Sequence, residues 1–134
     1  MKTKRKKTSA PPASIVWFEI AADNPERAKK FYSKLFGWKI KKMPGSMSMP
    51  YWLIDTGGAD ASPDGGMMPR QSPQQSVTNY VMVASVEKAA AKVEQLGGKI
   101  IRPKTPVPQM GYFVVCQDTE NNVFALWERD VKAK

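Results

Sequence analysis

Two kinds of apolar pattern alternate along the chain, and the alternation happens twice. Ser14 to Ala21 (SIVWFEIA) is rich in β-formers and has the length of a strand. Asn24 then offers a helix cap and Pro25 suits the first helical position. Ala28, Phe31, Tyr32, Leu35 and Phe36 recur at helical spacing, which predicts one apolar helix face, and Gly37 stops it. Trp38 to Lys42 and Tyr51 to Thr56 read as strands. Residues 57–66 read as a Gly/Asp/Pro loop, and Gly66-Met67-Met68 begins a short further strand.

After a polar linker at 70–76 the order repeats. Val77 to Ala84 reads as a strand, and Ser85 caps a helix whose apolar face is Ala89, Val93 and Leu96. Gly97-Gly98 ends it. Lys99 to Arg102, Tyr112 to Cys116 and Val123 to Glu128 read as strands, with a proline-rich loop at 103–111 and a turn at Asp118 to Asn122. Residues 26–40 and 87–101 align without a gap and share Glu26/Glu87, Ala28/Ala89, Leu35/Leu96, Gly37/Gly98 and Ile40/Ile101. The expected fold is therefore α+β: two tandem βαβββ modules, 14–69 and 77–129, forming a curled mixed sheet around a cleft with the helices outside. They make one domain, 14–130, between a leader (1–13) and a tail (131–134).

Composition narrows the chemistry. Apolar residues make up 42% of the 134, enough for a core without staples. The lone Cys116 allows no internal disulfide and suits a reducing compartment, so a cytoplasmic location is expected. No apolar run is long enough for a membrane span, and the N-terminus lacks the apolar stretch of a secretory signal. Lys2, Lys4, Arg5, Lys6 and Lys7 supply five of the net +9 charges. This leader reads as a solvated, disordered arm; contact with nucleic acid through residues 2–7 is its other reading. The most restrictive number is zero histidines. It removes Ser-His-Asp and Cys-His catalysis and the commonest zinc ligand.

Trp17-Phe18-Glu19-Ile20 leads to Asp23-Asn24-Pro25-Glu26-Arg27-Ala28, then Phe31-Tyr32 and Leu35-Phe36-Gly37-Trp38. The second half adds Leu96-Gly97-Gly98-Lys99 and a turn-plus-strand from Gln117 to Glu128. With these motifs the chain resembles the vicinal oxygen chelate (glyoxalase, bleomycin resistance, extradiol dioxygenase) superfamily over about residues 14–129. The resemblance implies the glyoxalase-like fold and commonly a homodimer. It also implies a divalent metal held by His, Gln or Glu from the first and a later strand of each half. Those positions fall on Trp17, on Asn79, on Ala125, and near Gly66, Met67 or Met68. A one-residue offset brings in Val16, Phe18, Thr78 or Tyr80 at the first-strand positions, and no hard-cation site results. No metal or other cofactor is therefore expected, a divalent ion being the alternative.

Strand alternation puts Trp17, Glu19 and Ala21 on the cleft face, with Asn79, Val81 and Val83, and with Val123, Ala125 and Trp127. Apolar walls with a few polar groups suit a small molecule. Contacts to it are expected from Trp17, Glu19, Asn79, Val81, Tyr112, Ala125, Trp127, Met67 and Met110. Loop methionines (Met43, Met47, Met49, Met68) add adaptable apolar surface. Glu19 is the one candidate catalytic group. It can act as a general base, hold a ligand cation beside Trp17 and Trp127, or pair with a nearby Lys or Arg. Cys116 reads as an inert buried thiol, and Trp38 and Trp52 as core or dimer-interface residues. The expected function is metal-free binding of a small apolar or aromatic molecule, and the basic overall charge favours a small or anionic one. The alternatives are a metal-dependent lyase resembling lactoylglutathione lyase, or a dioxygenase, with non-standard ligands. A third is an interaction module acting through the leader.

Overall fold

The computed structural model describes residues 13–44, 49–58 and 64–134. The basic residues 2–7, Met47 and residues 59–63 of the expected loop lie outside these. The elements are β1 (Ile15–Ala22), α1 (Pro25–Phe36), β2 (Lys39–Lys42), β3 (Trp52–Asp55), β4 (Asp64–Pro69), β5 (Thr78–Met82), α2 (Val86–Gln95), β6 (Lys99–Val107), β7 (Gly111–Gln117) and β8 (Val123–Arg129). The βαβββ order runs twice, so the α+β two-module architecture read from the pattern is the one the chain adopts. The chain forms two compact units: residues 15–80, and residues 81–134 with Ser14. No helix among the described residues is long and apolar enough to cross a membrane.

In the first unit the strand order is β2-β3-β4-β1, with β1 parallel to β4 and the other pairs antiparallel. Paired residues on neighbouring strands point to the same face. The register Ile20↔Met67 and Trp52↔Met67 therefore puts these three side chains together. They form the first core with Ala22, Ile40 and Ile54, against which Phe18, Ala28, Tyr32 and Trp38 pack. Helix α1 begins where Asn24 Oδ1 accepts the Arg27 N–H at 3.0 Å, with Pro25 at its first position. Such a cap is worth about 1 kcal/mol. It ends on Gly37, whose φ of 75° is the left-handed conformation that glycine adopts without steric cost.

Helix α1 departs from expectation in how it buries its apolar face. Ala28 and Tyr32 reach the core, but Phe31, Leu35 and Phe36 stay 59%, 58% and 56% exposed. The aromatic rings of this face pack on one another. Phe31 meets Tyr32 edge-on, and Tyr32 and Phe36 both lie against Trp38, 5.5 and 4.9 Å away between ring centroids. Trp52 is core, and its indole N–H donates to Glu26 at 3.2 Å. Arg70 ties down the linker: it donates to Asp23 at 2.9 Å, to the Ala21 carbonyl at 3.3 Å and to the Gln75 carbonyl.

In the second unit β8, β7 and β6 are antiparallel neighbours, and the Val83 N–H donates to the Trp127 carbonyl at 2.8 Å, joining the end of β5 to β8. Val86, Val114, Cys116 and Leu126 make the second core, with Val83, Ala89, Val93, Tyr112 and Phe124 around it. Ser85 Oγ caps α2 by accepting the Lys88 N–H, and Glu128 accepts the Val86 N–H at 3.0 Å. Burial alone pushes the Cys116 thiol up to about 11, which keeps it protonated and inert. At the 118–122 turn Asp118 accepts the backbone N–H groups of Asn122 and Glu120, which hold its carboxyl below the usual range.

Two further expectations need correcting. The segment 103–111 is not all loop, because β6 runs on to Val107 through Pro103 and Pro106. It is the outer strand of this unit's sheet and carries two register shifts, which is where a residue without an N–H is tolerated. Nor is 131–134 a free tail: Ala133 is buried, and its carbonyl accepts the Gln109 N–H at 2.8 Å.

The helix-side face of β4 allows no side chain at Gly65. A Cβ there would come within 2.8 Å of the Phe18 ring and closer still to the Phe18 carbonyl oxygen, which is backbone and cannot yield. Gly65→Ala is therefore expected to cost about 1–3 kcal/mol through overpacking. Chemical denaturation would read this as a lowered midpoint at unchanged slope, and an unaltered midpoint would contradict the close packing of β1 on β4.

Candidate functional site

Opposite the helix-side core, β1 presents Trp17 and Glu19. The register Glu19↔Gly66 sets a residue without a side chain next to Glu19. Tyr51, one residue before β3, lies over that glycine: a Cβ built on Gly66 would overlap the Tyr51 hydroxyl. From there the phenol donates to Glu19 Oε2 at 2.7 Å and accepts the Trp17 indole N–H at 3.2 Å. Tyr80, on β5, donates to Glu19 Oε1 at 3.1 Å. All four side chains belong to the first unit and all are half-buried. Each carboxylate oxygen thus holds one phenol, and a hydrogen bond to a charged group contributes roughly 1.5–3 kcal/mol net.

Burial raises the Tyr51 phenol far above the usual range. The neighbouring Glu19 charge and the hydrogen bond to it push the same way, and the Trp17 N–H opposes them. Tyr51 therefore remains a proton donor. The partner of Glu19 is a pair of tyrosines rather than a lysine or arginine, and among the described residues it forms no ion pair.

Several expected contacts stand elsewhere. Tyr80, not Asn79 or Val81, turns towards Glu19. Alternation along β5 then gives Asn79 the opposite face from Tyr80, and Asn79 is exposed. The offset by one residue is the cause. Met67 is 0% exposed inside the first core, because its register with Ile20 turns it to the helix side. Tyr112 faces the second core by the same rule, paired with Glu128 and covered by Lys104, whose Nζ lies 4.3 Å from the ring centroid. Ala125 and Trp127 share the face opposite Phe124 and Leu126, as alternation predicts, but Ala125 is completely buried. Met110 is exposed in the β6–β7 turn. Sequence reasoning missed Tyr51 as a site residue. The signal for it was the Gly65-Gly66 pair, which leaves room for a ring.

The metal implied by the resemblance finds no suitable donor set. Among the described residues no three His, Cys, Asp or Glu side chains come together to hold an ion. Around Glu19 stand an indole N–H, which only donates, and a phenol held protonated. Asp64, beside Trp17 in register, spends one oxygen on the Thr56 N–H at 3.1 Å. A single carboxylate with neutral donors does not make a site for a divalent ion.

Tyr51 also sets a pH dependence. The unfolded chain releases this proton near pH 10.0, while the folded chain holds it to higher pH. The unfolded state therefore binds fewer protons above pH 10, and stability falls there by up to about 1.4 kcal/mol per pH unit. Urea midpoints at pH 8 and at pH 10.5 to 11 are expected to diverge in the parent chain and to diverge less in Tyr51→Phe. Equal divergence in both would show that Tyr51 is not the group responsible.

A family model described as "Glyoxalase/Bleomycin resistance protein/Dioxygenase superfamily" matches residues 14–126. A "Glyoxylase-like domain-containing protein" from Didymella fabae is 33% identical over 126 residues, covering 88% of this chain and 95% of that protein. "Putative glyoxylase CFP32" of Mycobacterium tuberculosis is 27% identical over 117 residues, covering 84% of this chain. The chain spans only 43% of the length of that relative. In structure the chain is similar to a hypothetical protein from Bacillus halodurans (TM-score 0.66, 12% identity, 95% of this chain and 99% of that one). It is also similar to methylmalonyl-CoA epimerase from Mycobacterium tuberculosis (TM-score 0.64, 10% identity, 87% of each chain). By the match over residues 14–126 and the twice-run βαβββ order, this chain belongs to the glyoxalase/bleomycin resistance protein/dioxygenase superfamily.

Proposed function

We propose that this chain is a metal-free member of its superfamily that binds a small, largely apolar or aromatic molecule. One observation carries the reading: the carboxylate at the face where family members hold a metal is engaged by Tyr51 and Tyr80, with Trp17 behind them. Half-buried aromatic walls around one polar anchor have the make-up of a small-molecule site. Glu19 is its anchor, Trp17, Tyr51 and Tyr80 its walls.

The competing reading is a glyoxylase-type lyase or a dioxygenase. It draws on the names of the relatives, and it requires hard-cation ligands that the described residues do not assemble. Elemental analysis of protein purified without chelators separates the two. The expected content of Ni, Zn, Fe and Mn together is below about 0.1 ion per chain, because one carboxylate cannot retain a divalent ion through purification. Native mass spectrometry of the same sample reads any co-purified organic molecule. One transition-metal ion per chain would overturn the proposal.

A further inference from the structure

Glu19 is a carboxyl group whose side-chain hydrogen-bond partners are two phenols. A carboxylate offers about four acceptor sites. The Tyr51 and Tyr80 hydroxyls each fill one, at 2.7 and 3.1 Å, so about two remain open. Neither phenol cancels the charge, and among the described residues no lysine or arginine pairs with it. The cluster is half-buried, where a charge is screened less than in open water. Three aromatic rings, Trp17, Tyr51 and Tyr80, stand within one hydrogen-bonded chain with it. A half-buried carboxylate beside aromatic rings attracts positive charge twice, through its own charge and through the ring quadrupoles.

From this arrangement we infer that the Glu19 site recognises a small organic ammonium ion, a protonated amine or a quaternary ammonium carrying an apolar or aromatic body. The inference rests on the proposed metal-free binding role and names the ligand class for the same site. It also reverses the expectation, drawn from net charge, of an anionic ligand. Five of the +9 charges sit at residues 2–7, whereas the acidic side chain of the cluster is Glu19, without a basic residue hydrogen-bonded to it among the described residues. In this reading the ligand brings the positive charge that faces the carboxylate. Tyr51 and Tyr80 are positioning residues that fix the two oxygens, and Gly66 is the gap that lets Tyr51 reach them.

The test uses the full chain and three probes of similar size: benzyltrimethylammonium, its uncharged isostere neopentylbenzene, and benzoate. The readout is the shift of the Trp17 indole N–H resonance, assigned with Trp17→Phe. The cation is expected to bind at least about tenfold more tightly than the isostere, and benzoate least, with the preference shrinking as salt is added. Glu19→Gln should abolish the preference while the isostere still binds. Glu19→Asp keeps the charge but draws it back from the phenols, and should retain the preference at lower affinity. This second variant separates loss of charge from a general loss of folding. Gly66→Ala, which pushes the Tyr51 ring aside, should weaken the cation more than the isostere. Equal binding of cation and isostere, a preference for benzoate, or a preference that survives Glu19→Gln would overturn the ammonium assignment. So would the absence of any Trp17 shift. Isostere binding without a cation preference would leave the metal-free binding role standing, whereas a stoichiometric metal would remove that role first.

Discussion

A phenol ring seated over a glycine decides which group reaches Glu19. Tyr51 reaches Glu19 only because Gly66 has no side chain, and the two demands are reciprocal. Any residue with a Cβ at 66 would displace the ring, and without the ring the Oε2 oxygen of Glu19 would lose its 2.7 Å donor. The resemblance places one family metal ligand near this point of β4. A side chain long enough to ligate and a tyrosine lying across the same space exclude each other sterically. A ligating side chain at position 66 and Tyr51 in its present place are thus alternatives, and this chain has the tyrosine.

The same short strand serves the opposite face in the opposite manner. Gly65 lets the Phe18 ring lie close against β4, and Met67 fills the core between Ile20 and Trp52. In three consecutive residues the strand supplies a close approach, a gap and a plug. The parallel pairing of β1 with β4 makes this work, since it keeps residues 17, 19 and 21 beside 64, 66 and 68 on one face. A slip of one residue would bring Met67 to the site face and Gly66 into the core, ruining both.

Much of this was legible in the chain itself. The strand–helix–strand order, the caps Asn24 and Ser85, the internal similarity and the face of Trp17 and Glu19 all followed from local periodicity and side-chain chemistry. What escaped reading depends on pairing between distant strands. Tyr51 looked like the first residue of an ordinary strand, because nothing local reports that it will cross to Glu19, 32 positions earlier in the chain. Tyr80 and Asn79 were exchanged because a five-residue strand of mixed polarity does not announce its parity. Met67 was assigned to the site because methionine suits both surfaces and cores. Pro103 and Pro106 read as loop because proline is ruled out only from inner strands, and a sequence does not say which strand is outermost.

Under the ammonium assignment proposed above, net charge is a poor guide for a related reason. Composition averages over the whole chain, while recognition is decided by the few groups within contact distance. Beyond about 8 Å, the screening length at physiological salt, solvent-exposed charges are largely screened from one another, so a sum over the whole chain says little about one site. At contact, the relevant balance is one carboxylate against neutral hydroxyls. Neutral donors hold an anion in place and leave its charge to be answered by whatever enters. A divalent ion would ask for more anionic or imidazole donors than stand there, and it would have to give up its strongly held water for phenols that keep their protons. An organic ammonium is larger and less strongly hydrated. It asks for one negative charge and some aromatic surface, and those are what Glu19, Trp17 and the two tyrosines hold out together.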